Sequence, residues 1–325
     1  MEADDRPTLS VVVPCYNEED VIEMTCERVK AVLDGLDITW EVVLVDDGSR
    51  DTTWELLKKI HTEDPRFRAI SLSRNFGHQP AVYAGLQNSR GQAVGVIDAD
   101  LQDPPEILVE CLERWQEGYQ VIYGIRQKRK ENIFKRTAYK TFYLLFRKMA
   151  SIDAPLDSGD FCVMDRAVVE TILSLPERHI FVRGMRAWSG FKSVGVAYAR
   201  PARAAGEPKY SLMKLFQLAA DGIFSFSVTP LRFASYVGTF VVGFCLAAIL
   251  FVIAWRVVGF EFMGSTAHEL PGWAGVIVSV FFLGGVQLLF LGILGEYVAR
   301  IYNEVKRRPR WVAKEYLGNE FTKDV

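Results

Sequence analysis

The segment Val96-Ile97-Asp98-Ala99-Asp100-Leu101-Gln102-Asp103-Pro104-Pro105 sets two carboxylates one residue apart behind a short apolar run, Ala93 to Ile97, that reads as a buried strand. Two carboxylates at the carboxyl end of a central strand are unfavourable unless something positive sits between them. A divalent cation holding a diphosphate suits such a pair. A solvated Asx turn is the bland reading of the same residues. Pro104-Pro105-Glu106 then stops the strand and opens a helix.

The elements that must position this pair follow from the apolar pattern. Leu9 to Val13, ending at Pro14, reads as a first buried parallel strand, and Pro14-Cys15-Tyr16-Asn17-Glu18-Glu19 as a loop into an amphipathic helix reaching Leu36. Trp40 to Val45 is a second strand ending in Asp46-Asp47-Gly48-Ser49, with Asp51 as an N-cap for a helix over Thr52 to His61. Arg68 to Leu72 is a third strand, Gln79 to Asn88 a helix, Pro105 to Glu117 a helix and Tyr119 to Tyr123 a fifth strand. Alternation of this kind predicts a doubly wound, Rossmann-like parallel α/β sheet, in which ligands sit beyond the carboxyl ends of the strands. Pro14, Asp46, Asp47, Asp98 and Asp100 all fall at those ends.

Composition bounds the partners. The chain has 325 residues, a formal charge of −2 and 50% hydrophobic residues, so no nucleic-acid footprint is expected. Its five cysteines never form CxxC and suit a reducing compartment. Met1 to Pro7 is polar and acidic, and no cleavable signal peptide is expected. Arg126 to Lys148 carries nine Lys or Arg against the single acid Glu131, interleaved with aromatics. It reads as a basic amphipathic helix on an anionic membrane surface, or more plainly as a solvated basic face. Phe233 to Trp255 is 23 residues without a charge, and Leu270 to Gly295 is also uncharged. Each is long enough to cross a bilayer. The expected organisation is a cytosolic sheet domain over 1–211, an interfacial amphipathic helix over 212–232, and transmembrane helices over 233–255 and 270–295. The loop 256–269 joins the two spans, and 296–325 forms a basic tail. Arg232, Arg300, Lys306, Arg307, Arg308 and Arg310 put both termini and the sheet domain on the cytoplasmic side of the inner membrane. Gly284, Gly285, Gly292 and Gly295 allow close helix packing, within one chain or in a homo-oligomer.

With these residues in view the chain resembles the membrane-bound polyprenyl-phosphate glycosyltransferases of glycosyltransferase family 2, which have a GT-A fold, and most of all the bacterial two-span glucosyl members. The matching segments are VVVPCYNEE (11–19), VLVDDGSRDTT (43–53), SRNFGHQPAVYAG (73–85), DADLQDPPE (98–106), SGDF (158–161), GEPKYS (206–211) and LGEYVARIYNEVKRRPRW (294–311). Pro208 stands where the family usually has Ser. The resemblance implies that Pro14, Tyr16 and Glu18 line a base and ribose pocket. It implies that Asp47 accepts from a ring N–H of the base, against the alternative of a plain turn role. Asp98 approaches the ribose or the ion, and Asp100 and Gln102 bind it. Oxygen ligands of this kind select Mg²⁺ or Mn²⁺.

For a polyprenyl phosphate acceptor the nucleophilic oxygen is already anionic, so a strong general base is unnecessary. Cations must instead hold it, and Arg126, Arg203 and Lys209 are the candidates, with Arg200 behind them. Asp160 matches the acceptor-side carboxylate of the family, with Asp157 as its rival. His78 is read as a loop or packing residue, and His61, His179 and His268 carry no partner signal. The implied reaction is inverting transfer of one sugar, first of all glucose from UDP-glucose, from a nucleotide sugar to undecaprenyl phosphate. The alternatives are mannose or an amino-arabinose, a processive polysaccharide synthase (against which the lack of a QxxRW motif and the two spans speak), and a membrane-tethered nucleotide-sugar-binding protein without turnover.

Overall fold

A computed structural model describes residues 6–127, 158–178, 180–199, 229–258 and 272–318. They fall into two compact units, a sheet unit drawn from residues before 213 and after 306, and a helical unit drawn from 213–306.

The sheet unit runs β1 (Leu9–Cys15), α1 (Ile22–Asp34), β2 (Trp40–Asp46), α2 (Thr53–Glu63), β3 (Phe67–Leu72), α3 (His78–Asn88), β4 (Ala93–Val96), α4 (Ile107–Gln116), β5 (Val121–Gln127), β6 (Ser158–Asp165), α5 (Arg166–Ser174), α6 (Val182–Trp188), β7 (Ser193–Ala199) and, after the helical unit, β8 (Ala313–Leu317). The strand order is β7-β5-β6-β4-β1-β2-β3-β8. The centre, β4-β1-β2-β3, is parallel. Its strands are buried at every position because helices cover both faces, which is why they read as unbroken apolar runs. Alternate residues serve the two faces. Val11 and Val13 pack with Ile22, Val29 and Leu33 of α1, Leu57 of α2 and Leu108 of α4. Val12 packs with Val82 and Leu86 of α3, Val168 and Ile172 of α5 and Met185 of α6.

Two strands correct the all-parallel expectation. β6 is antiparallel to both β4 and β5. Its reversed direction brings the start of β6 to the end of β4. With Val96 opposite Cys162, continuing the register sets Asp98 beside Asp160. A parallel β6 would have carried Asp160 to the opposite edge of the sheet. β8 is the second departure, antiparallel to β3. The sequence pattern offers no strand there, because AKEYL is short and largely polar. It is recruited by the open edge of β3, whose unpaired backbone groups it satisfies. Trp311, just before β8, is 1% exposed, and its indole N–H donates to Gln87 Oε1 at 3.3 Å. Arg310 donates to the carbonyls of Leu175 and Glu177, both at 2.6 Å, and to the Tyr83 hydroxyl.

The helical unit contains α7 (Thr229–Val258) and α8 (Gly272–Val305). Within α8, Ser279–Val305 is long and apolar enough to cross a membrane, and α7 contains the uncharged run Phe233 to Trp255. Phe240 of α7 and Phe281 and Leu288 of α8 are 74%, 77% and 71% exposed, among many exposed aromatic and aliphatic side chains on both helices.

Because Trp311 fills core volume on the α3 face, Trp311→Ala is expected to cost about 3–5 kcal/mol. Denaturant unfolding of the detergent-solubilised protein checks this; a loss under about 1 kcal/mol would mean that the segment before β8 does not dock in the core.

Candidate active site

The carboxyl ends of β1 and β2 are stitched together by local hydrogen bonds. Pro14 is buried and pairs in register with Val45, a strand-end position that does without an N–H donor. Asn17, at φ 52°, turns the chain. Its N–H donates to Ser49 Oγ at 2.9 Å, and its side-chain oxygen accepts from the Arg50 N–H at 2.9 Å. The Glu18 N–H donates to Thr53 Oγ1 at 3.0 Å. Tyr16 and Glu18 are thereby left half-buried at the rim of the sheet. Asp46 is a structural residue, accepting from the Ser49 N–H at 3.0 Å and the Ser71 hydroxyl at 2.9 Å.

Asp47 is buried and accepts from the amides of Phe76 and Gly77 at 2.7 and 2.9 Å. Burial pushes its carboxyl above the ordinary range, against the pull of those two amides, and Asp46 adds to the rise. Each oxygen keeps a lone pair, so the turn role and a ligand contact are compatible. Gly48 has φ +67°, and a Cβ there would meet backbone atoms of Arg74 and Asn75 at 2.4 to 2.9 Å. Only glycine lets the 73–77 loop lie this close.

The loop after β4 is clamped from three sides. The Thr25 hydroxyl donates to the Ala99 carbonyl at 2.7 Å. The Tyr198 hydroxyl donates to buried Asp103. Arg28 grips Glu106 with two hydrogen bonds, at 2.8 and 2.9 Å. Leu101, buried at φ 56°, takes a left-handed turn that ordinarily costs about 1–2 kcal/mol. The loop is therefore held in a shape that local preference does not supply. Asp100 Oδ1 accepts from the Gln102 N–H at 3.1 Å, an Asx-type turn.

Asp98 is pushed up to about 6, chiefly by burial and then by the charges of Asp103, Asp160 and Asp100, with His78 pulling the other way. That crowding of acids is the condition a cation relieves. Among the described residues no three acidic, His or Cys side chains converge on one point. Two carboxylate side chains one residue apart instead match a hard cation that takes few protein oxygens and keeps waters and substrate phosphates as its other ligands. The pair fits Mg²⁺ or Mn²⁺ on these grounds.

Asp160 lies between two cationic side chains. His78 Nε2 is 3.4 Å from its Oδ2 and 3.7 Å from Asp98 Oδ1. Arg183 Nη2 is 3.3 Å from its Oδ1. Burial raises the Asp160 carboxyl, but His78, Arg183 and Arg186 outweigh it and hold the group well below the usual carboxylate range. Burial lowers the His78 imidazolium and its two acids raise it, with a net rise. His78 is thus a charge partner in the site, where sequence reasoning assigned it to packing. It stands in the SRNFGHQ segment, which was the available signal. Arg183 and Arg186 were missed outright, since nothing local distinguishes them. The Arg126 side chain, Asp157, Arg200, Arg203 and Lys209 lie outside the described residues.

Residues 10–173 match the family model described as glycosyl transferase family 2. The whole chain is 45% identical over 312 residues to a Bacillus subtilis (strain 168) protein named "uncharacterized glycosyltransferase YkcC", covering 96% of this chain and 94% of that one. It is 39% identical over 314 residues to the bactoprenol glucosyl transferase of Shigella phage SfII, covering 96% of this chain and 99% of the relative. Among solved structures, glucosyl-3-phosphoglycerate synthase from Mycobacterium tuberculosis, in complex with Mn²⁺, UDP-glucose and glycerol 3-phosphate, is similar at a TM-score of 0.47. It is 21% identical, covering 68% of this chain and 78% of that one.

Removal of the Asp47 carboxylate leaves two amides of the 73–77 loop without their acceptor. Asp47→Ala is expected to raise hydrogen exchange in a peptide spanning 73–80 by about tenfold or more, as loss of roughly 1.5–3 kcal/mol of charge-assisted bonding implies. Unchanged protection of Phe76 and Gly77 would show that the loop is held by other contacts.

Proposed function

This chain belongs to glycosyl transferase family 2, and we propose that it moves one sugar from a nucleotide-sugar donor to a polyprenyl phosphate, with UDP-glucose the first donor to test. The observation that carries the reading is the Asp98–Asp100 pair at the end of β4 with ion-paired Asp160 beside it. A full-length relative named a bactoprenol glucosyl transferase supports it.

An oxygen of the acceptor phosphate attacks the anomeric carbon while the bond from that carbon to the diphosphate oxygen breaks. The electron pair leaves with the diphosphate and the configuration inverts. The attacking oxygen is anionic near neutral pH, so no side chain has to take a proton from it. Asp160, already facing His78 and Arg183, orients these cations and does not act as a base. Asp98, Asp100 and Gln102 are the residues that would hold Mg²⁺ or Mn²⁺, which when bound neutralises charge on the departing diphosphate. Pro14, Tyr16, Glu18 and Asp47 take the base and ribose. Arg126, Arg200, Arg203 and Lys209 take the acceptor phosphate through charge-assisted bonds.

Membrane attachment belongs to the same proposal. Two spans, 233–255 and 270–295, keep the sheet domain and both termini on the cytoplasmic side, where a soluble donor and a lipid phosphate can meet. The exposed aromatic and aliphatic side chains of α7 and α8 support this, as do helix lengths of 30 and 34 residues. A different sugar is the second reading, because an acidic pair that would hold the diphosphate through a cation is indifferent to the sugar beyond it.

A screen of UDP-glucose, GDP-mannose and an amino-arabinose donor against undecaprenyl phosphate in membranes decides the donor, with UDP-glucose expected to give lipid-linked product. Asp100→Ala is expected to lower transfer by about 100-fold or more, and EDTA to abolish it. Undiminished transfer after chelation contradicts the metal role. Arg203→Ala is expected to raise the acceptor KM with little change in the donor KM.

A further inference from the structure

Arg183 sits in the second residue of α6, and three contacts define its surroundings. The Val182 N–H donates to Gln79 Oε1 at 2.9 Å, which ties the start of α6 to the start of α3, where His78 lies. Arg183 Nη2 is 3.3 Å from Asp160 Oδ1, while His78 Nε2 faces the other carboxylate oxygen. Arg186, one turn further on, is 4% exposed, and its guanidinium lies 5.8 Å from the centroid of the Tyr123 ring.

The guanidinium of Arg183 is under-used by these contacts. It has five N–H donors, one nitrogen meets Asp160, and its Nε–H is buried with no acceptor among the described residues. That buried donor is unfavourable and is itself out of a ligand's reach, so it is the rest of the guanidinium that an oxyanion could meet. The side chain is still 31% exposed, so a ligand can reach it. Asp160 fixes the direction of the fork without saturating it.

The sheet order says which oxyanion. The loops that follow β1 and β2 are on one side of β4, and β6 is on the other. Along the carboxyl edge the sequence of groups is therefore Asp47, then Asp98 and Asp100, then Asp160 and Arg183. If the nucleotide occupies the β1–β2 end and its diphosphate the β4 loop, Arg183 stands on the far side of the diphosphate, where the attacking group arrives.

We propose that Arg183 binds the acceptor phosphate, with Asp160 and His78 as the residues that position it. This rests on the transfer reaction proposed above and adds to it a cation from the sheet unit itself, separate from the basic loops of the sequence. A planar fork can hold two phosphate oxygens and leave the third free to attack, which a lysine ammonium cannot do with the same direction.

The test uses the full-length protein in membranes or detergent, with undecaprenyl phosphate and nucleotide sugar varied separately. Arg183→Ala is expected to raise the acceptor KM by about 10- to 100-fold, the range for loss of a charge-assisted contact. The donor KM and the thermal stabilisation by UDP should stay within about twofold of wild type. Arg183→Lys, which keeps charge and fold, is expected to fall between the two. An unchanged acceptor KM in both variants, with wild-type protein active, overturns the assignment alone. A rise confined to the donor KM moves Arg183 to the diphosphate and overturns it too. Equal loss of UDP stabilisation and acceptor use in both variants marks a structural residue and also contradicts the proposal. Wild-type protein that transfers no sugar to any polyprenyl phosphate overturns the underlying reaction and this assignment with it.

Discussion

The arrangement of this molecule turns on like charges forced together at one edge of a sheet. Asp98 and Asp160 come side by side because β6 runs against β4, and Asp100 and Asp103 add their charges at Asp98. Carboxylates packed in this way repel, and the Asp98 carboxyl, raised to about 6 by burial and by its acidic neighbours, registers that repulsion. The fold tolerates it by setting His78 and Arg183 on the two oxygens of Asp160. Asp98, which shares His78 at 3.7 Å, still carries a raised carboxyl, the condition a cation arriving with a ligand would relieve.

Order in the loops at the carboxyl ends of β1, β2 and β3 has a different origin. The loops after β1, β2 and β3 are joined by short hydrogen bonds, between Asn17 and Ser49 and Arg50 and between Asp47 and the amides of Phe76 and Gly77. The left-handed Leu101 and the close approach at Gly48 belong to the same economy of space. Leu101 is locally unfavourable there and persists because neighbouring elements over-determine it, while Gly48 takes its positive φ without that cost. Preorganised loops of this kind let binding energy act on the substrate and not on the protein.

Much of the architecture was legible in the sequence because parallel strands buried on both faces must be written as apolar runs, and Leu9 to Val13, Trp40 to Val45 and Ala93 to Ile97 are such runs. The acidic pair was legible because two aspartates at such a strand end have few structural uses. What escaped was everything decided at long range. The direction of β6 has no local signature. β8 is a polar five-residue segment that becomes a strand only because β3 offers it an edge. His78 and Arg183 acquire their significance from Asp160, which lies 82 and 23 residues away in sequence, and a lone histidine in a loop or an arginine on a short helix gives no sign of that.

If the acidic cluster is completed by a cation that enters with the donor diphosphate, ion binding must depend on the nucleotide. Mn²⁺ binding to the purified protein, followed by electron paramagnetic resonance with and without UDP, measures this directly. The account predicts firm Mn²⁺ retention only when UDP is present, and its loss in Asp100→Ala. Mn²⁺ held equally well without UDP, or no UDP-dependent binding at all, would contradict it.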